Sequence, residues 1–243
     1  KAGTIKMKIY AMAELSNASK NYWFKRGKYK TDYLQVKSFK LYADGALGSR
    51  GACLLLPYSD MPGHFGFMLK DEDSIQLLAK EIYDSGFQLN THCIGDSANR
   101  FMLQVYAANL KTKNDLRWRI EQCQVVNHAD LKYFSDYSII PSVQPTHATS
   151  DMYWAEKRLG SERIHDAYSN KALLKETGML ALGSDFPVED INPLFGFYAA
   201  VVRKDQKGFP PAGFESENKI SRIEALRGMT IWAAYSMFAE KEK

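Results

Sequence analysis

Cysteine is scarce in this chain: Cys53, Cys93 and Cys123 are an odd number at wide spacings among 243 residues. That spacing builds neither a disulfide framework nor the paired thiolates of a zinc ribbon, and it fits a reducing, cytoplasmic compartment best. Long apolar runs are missing as well. None approaches the roughly 20 residues needed to cross a bilayer, so no membrane span is expected. The opening residues Lys1–Lys8 hold neither an apolar signal core nor a small-residue cleavage site; they read as an internal cut, which leaves secretion as the alternative. Charge of one sign is also lacking. Lys and Arg total 32 against 28 Asp and Glu, and the net +4 is spread without a basic block, so nucleic acid is not an expected partner.

What remains is a chain that is 45% hydrophobic, enough for a single barrel-sized domain over 1–243. Ile5, Met7, Ile9 and Ala11 alternate with polar residues, the period of a strand from Ile5 to Ala13 with one buried face. A polar stretch from Ser16 to Asp32 separates it from a second strand, Leu34 to Ala43, which ends at Asp44-Gly45. A loop rich in glycine and proline follows. Ile75, Leu78, Ala79, Ile82 and Tyr83 then recur at helical intervals, with Gly86 where a C-terminal cap belongs. Downstream the alternation continues. Strands are expected at Phe87–Cys93, Arg117–Gln122, Ser138–Val143 and Met179–Ser184. Helices are expected near Ser97–Leu110, Ala129–Phe134, Asp151–Leu159 and Asn170–Thr177, with a closing one over Arg222–Ala239. Strands joined by helices pair in parallel. Six are counted where eight close a (β/α)₈ barrel, so the expected fold is an α/β, TIM-like but incomplete barrel.

In such barrels reactive residues collect at the carboxyl ends of strands. Here those ends are polar: Lys40 and Asp44, His92 and Asp96, Glu121 and Gln122, Gln144 and His147, Ser184 and Asp185. A lone histidine after a strand is more often packed or capping than a ligand. His92 and Asp185 are raised above that reading by their shared placement, each after an apolar strand and beside a glycine-bearing turn. Lys40 lies within a strand; a bare ammonium on the inward face must be paired, neutralised or chemically converted, unless it sits on a solvated edge.

The run Lys40-Leu41-Tyr42-Ala43-Asp44-Gly45-Ala46-Leu47-Gly48-Ser49-Arg50-Gly51-Ala52 resembles the YtcJ-like branch of the amidohydrolase superfamily. So do Thr91-His92-Cys93-Ile94-Gly95-Asp96, Arg119-Ile120-Glu121-Gln122-Cys123-Gln124, Ser142-Val143-Gln144-Pro145-Thr146-His147, Ser150-Asp151 and Leu182-Gly183-Ser184-Asp185-Phe186-Pro187. The resemblance implies a distorted (β/α)₈ barrel with a small β-sandwich built from both chain ends, and metal-assisted hydrolysis of amide or other C–N bonds in a small-molecule substrate. It makes Lys40 the lysine that can carry a carboxylate and bridge divalent ions. His92 becomes a metal-ligating imidazole, the metal being zinc by preference, and Asp185 a metal ligand that also takes a proton from the attacking water. It further suggests Arg50, Gln144 and His147 as substrate-facing residues. Asp96 is expected to cap a helix, Arg163 and Arg203 to form surface or inter-helix ion pairs, and Trp118, Trp154 and Trp232 to fill the core or helix-facing surface.

Two departures from the family pattern stand out. No His-x-His pair occurs anywhere in the sequence, and Gln122 stands where the family has histidine. A neutral amide oxygen is a poorer zinc ligand than imidazole. The resemblance therefore implies a fragment without the β-sandwich, inactive in isolation. The alternative is a non-catalytic folded piece that self-associates through open strand edges. A phosphate-binding isomerase barrel is disfavoured, because Asp185 puts a carboxylate where a phosphate wants backbone amides.

Overall fold

The computed structural model describes residues 7–242. Its parallel sheet is built from β1 (Ile9–Glu14), β3 (Leu34–Tyr42), β4 (Gln88–Cys93), β5 (Arg119–Gln122), β6 (Ile140–Val143) and β7 (Ala181–Leu182), in that spatial order, and a two-residue β2 (Tyr29–Lys30) pairs antiparallel with β3. The helices are α1 (Asn17–Arg26), α2 (Glu72–Asp84), α3 (Asp96–Leu110), α4 (Lys132–Asp136), α5 (Pro145–Asp151), α6 (Ala155–Arg163), α7 (Asn170–Thr177), α8 (Pro193–Val202), α9 (Arg222–Arg227) and α10 (Ala233–Ser236). The six parallel strands curl into a half-barrel, the incomplete TIM-like architecture expected from the alternation of strand and helix periods. The first strand begins at Ile9; the part expected over Ile5 and Lys6, like most of Lys1–Lys8, lies outside the described residues. No helix of the described residues is long and apolar enough to cross a membrane.

The two faces of the sheet differ in chemistry. Phe39, Leu41, Leu89 and Ile120 point outward into a fully buried layer with Ile75, Ile82, Met102, Leu103 and Trp118, and the Trp118 indole N–H donates to Phe87 O at 3.1 Å. The inward face is polar and internally bonded. Tyr10 Oη donates to Gln88 Oε1 at 2.7 Å, Asn90 Nδ2 to the same oxygen at 3.1 Å, and Arg119 Nη1 to Ser236 Oγ of α10 at 3.1 Å. Such groups are tolerated because they satisfy one another. A second apolar cluster, including Leu47, Leu54, Tyr58, Ile94, Val125 and Leu159, supports the long loop that lies over the carboxyl ends of the strands. Gly95 allows that loop to close down, since a Cβ there would fall 2.0 Å from Cys53 O.

Several expectations need correction. The polar stretch after β1 contains helix α1, capped by the Ser16 hydroxyl accepting from Ser19 N and ended by Gly27 at φ 78°. The closing helix runs continuously from Arg222 to Ser236, stopping short of Ala239, with a π-helical turn over Gly228–Trp232 between α9 and α10, where a Cβ on Gly228 would lie 2.6 Å from Leu182 Cγ. Arg203 is no surface ion pair; it is fully buried, and it donates to the carbonyls of Phe214 (2.9 Å) and Tyr168 (3.2 Å). Arg163 likewise binds carbonyls, those of Leu159, Leu56 and Pro57, and not a carboxylate. Asp96 is the first helical residue of α3 and not its cap; its Oδ1 accepts from Leu55 N and Ser97 N.

Candidate metal and catalytic site

The parallel register sets the site. On β3 and β4, Lys40 is paired with Asn90 and Tyr42 with His92, while His92 stands beside Glu121 of β5. Lys40, His92 and Glu121 therefore enter the barrel mouth from adjacent strands. Asp185 arrives from the turn after β7, where its backbone adopts φ 58°. At the end of β5 two consecutive residues, Gln122 (φ 76°) and Cys123 (φ 44°), are left-handed. That conformation swings Gln122 out of the strand alternation, and its Nε2 donates to Asp185 Oδ2 at 2.9 Å.

Charge and burial then act on these groups. Lys40 lies 4.7 Å from the centre of the Tyr42 ring, and burial lowers its amine pKa against the opposing attraction of Glu121 and Asp185. Burial first and the Lys40 charge second push His92 down to about 4, so its imidazole is neutral at ordinary pH, the form in which a histidine can ligate metal. Its Nε2 is buried without a hydrogen-bond partner; the nearest carboxylate oxygen, Asp44 Oδ1, is 3.9 Å away. Glu121 is engaged by Arg119 Nε at 2.6 Å.

His147, on α5, is also buried at the mouth. Its Nδ1 meets Gln124 Nε2 at 3.0 Å, and its Nε2 faces Asp185 Oδ2 and Glu189 Oε1, each at 3.9 Å, again without a hydrogen bond. Burial lowers its pKa, opposed by Glu189 and Asp185. Gln144 caps α5 in extended conformation, and its Oε1 is buried and unpartnered. Arg50 does not join this group: its guanidinium is held by Asp60 through Nε–Oδ1 (3.0 Å) and Nη2–Oδ2 (2.9 Å) within its own loop.

Three contributors were given no role from the sequence. Asp44 is almost fully buried and accepts from the backbone N–H groups of Cys53 (2.9 Å), Ile94 (2.9 Å) and Gly95 (2.8 Å), which bolts the loop to the end of β4; burial raises its pKa to about 7. Its place at a strand end before Gly45 was a visible signal. Glu189 gave none, because it becomes part of the site only when distant loops meet; Gln124 lay within the Arg119–Gln124 run but carried no role there.

For a metal, the donors present include an unpartnered neutral imidazole on His92, a half-buried amine on Lys40 and the Asp185 carboxylate, a set that suits a divalent ion of borderline character. The Gln122 Oε1 beside this group is buried without a hydrogen-bond partner. Among the described residues, a closely spaced trio of His and carboxylate ligand atoms occurs elsewhere, at His165, Glu215 and Glu217, all within 4.8 Å of one another.

A curled parallel sheet with its polar groups gathered at the strand carboxyl ends defines a TIM-like barrel. The chain belongs to the amidohydrolase family, whose model matches residues 3–243. It is 36% identical over 218 residues to Protein LONG AFTER FAR-RED 3 of Arabidopsis thaliana, covering 88% of this chain and 37% of that protein. To Putative amidohydrolase YtcJ of Bacillus subtilis (strain 168) it is 29% identical over 221 residues, covering 91% of this chain and 42% of that one. An uncharacterized metal-dependent hydrolase from Pyrococcus furiosus superposes with a TM-score of 0.84 at 28% identity, covering 98% of this chain and 48% of that structure. The chain thus spans less than half the length of these relatives.

Proposed function

We propose that this chain carries the site of a metal-dependent hydrolase acting on amide or other C–N bonds, with Lys40, His92 and Asp185 holding one or two divalent ions, zinc by preference. The observation that supports it most is the convergence of these three side chains from β3, β4 and the turn after β7 around an imidazole nitrogen with no protein partner. A neutral Lys40 amine can add carbon dioxide, losing a proton and becoming a carbamate whose oxygens are anionic donors. That conversion removes the cost of a buried ammonium. A divalent ion, when bound, polarises the scissile carbonyl and brings the pKa of its water toward ~7. Asp185 accepts the proton of the attacking water and returns it to the leaving nitrogen. Gln144 and His147 supply polar contacts to a small-molecule substrate. The cytoplasm is the expected compartment, in keeping with three free cysteines.

In isolation the chain is expected to be inactive, since its sequence contains no His-x-His pair and Gln122 occupies a ligand position. The test is metal analysis and a hydrolase screen on the full-length protein, with mass spectrometry of the Lys40 peptide under native conditions. A metal-loaded protein inert toward amides, carbamates and esters would overturn the reading.

A second reading is non-catalytic: association with another copy through β1. Among the described residues β1 pairs on one side only, with β3, leaving a six-residue edge of backbone donors and acceptors. Sizing by light scattering separates the two, because a monomer at high concentration excludes edge pairing.

A further inference from the structure

The tautomer of His147 is decided by its surroundings. One face of the buried imidazole presents Nδ1 to Gln124 Nε2 at 3.0 Å, and the other presents Nε2 to two carboxylate oxygens, Asp185 Oδ2 and Glu189 Oε1, both at 3.9 Å. These two sides select the same state. An amide N–H pointing at Nδ1 requires a lone pair there, which puts the ring proton on Nε2. Independently, a bare lone pair on Nε2 would face two negative groups, whereas an N–H is attracted to both. Turning the Gln124 amide over would reverse the first preference and oppose the second.

We infer that Gln124 is a positioning residue that fixes His147 as the Nε2–H tautomer, so that the imidazole presents a hydrogen-bond donor to the gap between Asp185 and Glu189. At 3.9 Å neither carboxylate is within hydrogen-bond reach, so the donor is buried and unspent. A buried donor without a partner is costly unless a ligand completes it. The group that would complete it is an acceptor oxygen, such as the carbonyl of an amide or carbamate. The inference rests on the proposed hydrolase only for that last step; the proton's position does not depend on it.

The experiment is imidazole ¹⁵N NMR of the whole chain labelled at histidine, with the His147 signals assigned by their loss in His147→Gln. The expected spectrum has a protonated Nε2 and an unprotonated Nδ1 near neutral pH. In Gln124→Glu, whose carboxylate can only accept, the proton is expected on Nδ1; in Gln124→Leu the signals should move toward a mixture. A wild-type ring protonated at Nδ1 overturns the inference without any change at Gln124; a tautomer unchanged in Gln124→Glu overturns it too. Failure of the full-length protein to hydrolyse anything would count against the hydrolase reading and leave the proton assignment standing.

Discussion

At the scale of single residues, the Gln122–Asp185 hydrogen bond ties up one oxygen of the carboxylate proposed to ligate metal and move protons. Replacing Gln122 with histidine should release that oxygen and add a stronger donor, raising zinc affinity of the full-length protein by at least about tenfold, a step of the size that even outer partners of a metal carry. Competition with a chromophoric chelator measures it, and equal affinities would show that position 122 lies outside the metal's reach. Asp151 offers a pH prediction away from the ligands. Burial raises its carboxyl to about 6, although Tyr168 Oη donates to it at 2.8 Å. Unfolded, the group titrates near ~3.9. Between those values the folded chain holds the proton more tightly. The stability this provides is therefore present in full below about pH 4 and lost as pH rises through 6. Asp151→Asn keeps an acceptor for Tyr168 and should flatten the pH dependence of Tm between 4 and 6; an unchanged profile would reject the assignment. Among the candidate site residues, His92 and Asp185 drew notice by their places at strand ends beside glycine-bearing turns, and Lys40 as an ammonium within a strand whose role came from the family resemblance. Glu189 did not, and Gln124 stood in a recognised run without a role, because their contacts to His147 arise only from how the loops after β5 and β7 fold.

At the scale of elements, legibility followed periodicity. The α2 and α7 helices carry clear apolar stripes, and α7 was located to the residue at Asn170–Thr177. In α1 no residue is fully buried; its lysines and asparagines hid a helix held by its caps and by Trp23 and Phe24 against the core. The α8 segment, Pro193–Val202, is apolar around its circumference and so has no stripe to read, although Asn192 and Pro193 form a sound start. Caps are accordingly testable. Ser221 and Glu224 form a reciprocal capping box at α9, so Ser221→Ala should cost about 1 kcal/mol in chemical denaturation. Gly95→Ala is a severer change, because the new methyl would meet the Cys53 carbonyl where β4 hands over to α3. A loss of about 3 kcal/mol is expected, and a loss below 1 kcal/mol would mean the loop gives way freely.

For the whole molecule, six strands and their order of appearance were readable, since alternating 2 and 3.6 periods leave few other ways to fold. What could not be read was the polar lumen, where Tyr10, Gln88, Asn90 and Arg119 hydrogen-bond across three strands and the C-terminal helix: long-range hydrogen bonds have no signature in local spacing. The paired left-handed residues closing β5 reach further than their one contact. After glycine, asparagine, aspartate and histidine enter that region with least penalty, while valine and isoleucine resist it. Evolution or a designer can thus trade the donor at 122 among a short menu of side chains without rebuilding the backbone, and a library drawn outside that menu should lose folded members before it loses any chemistry.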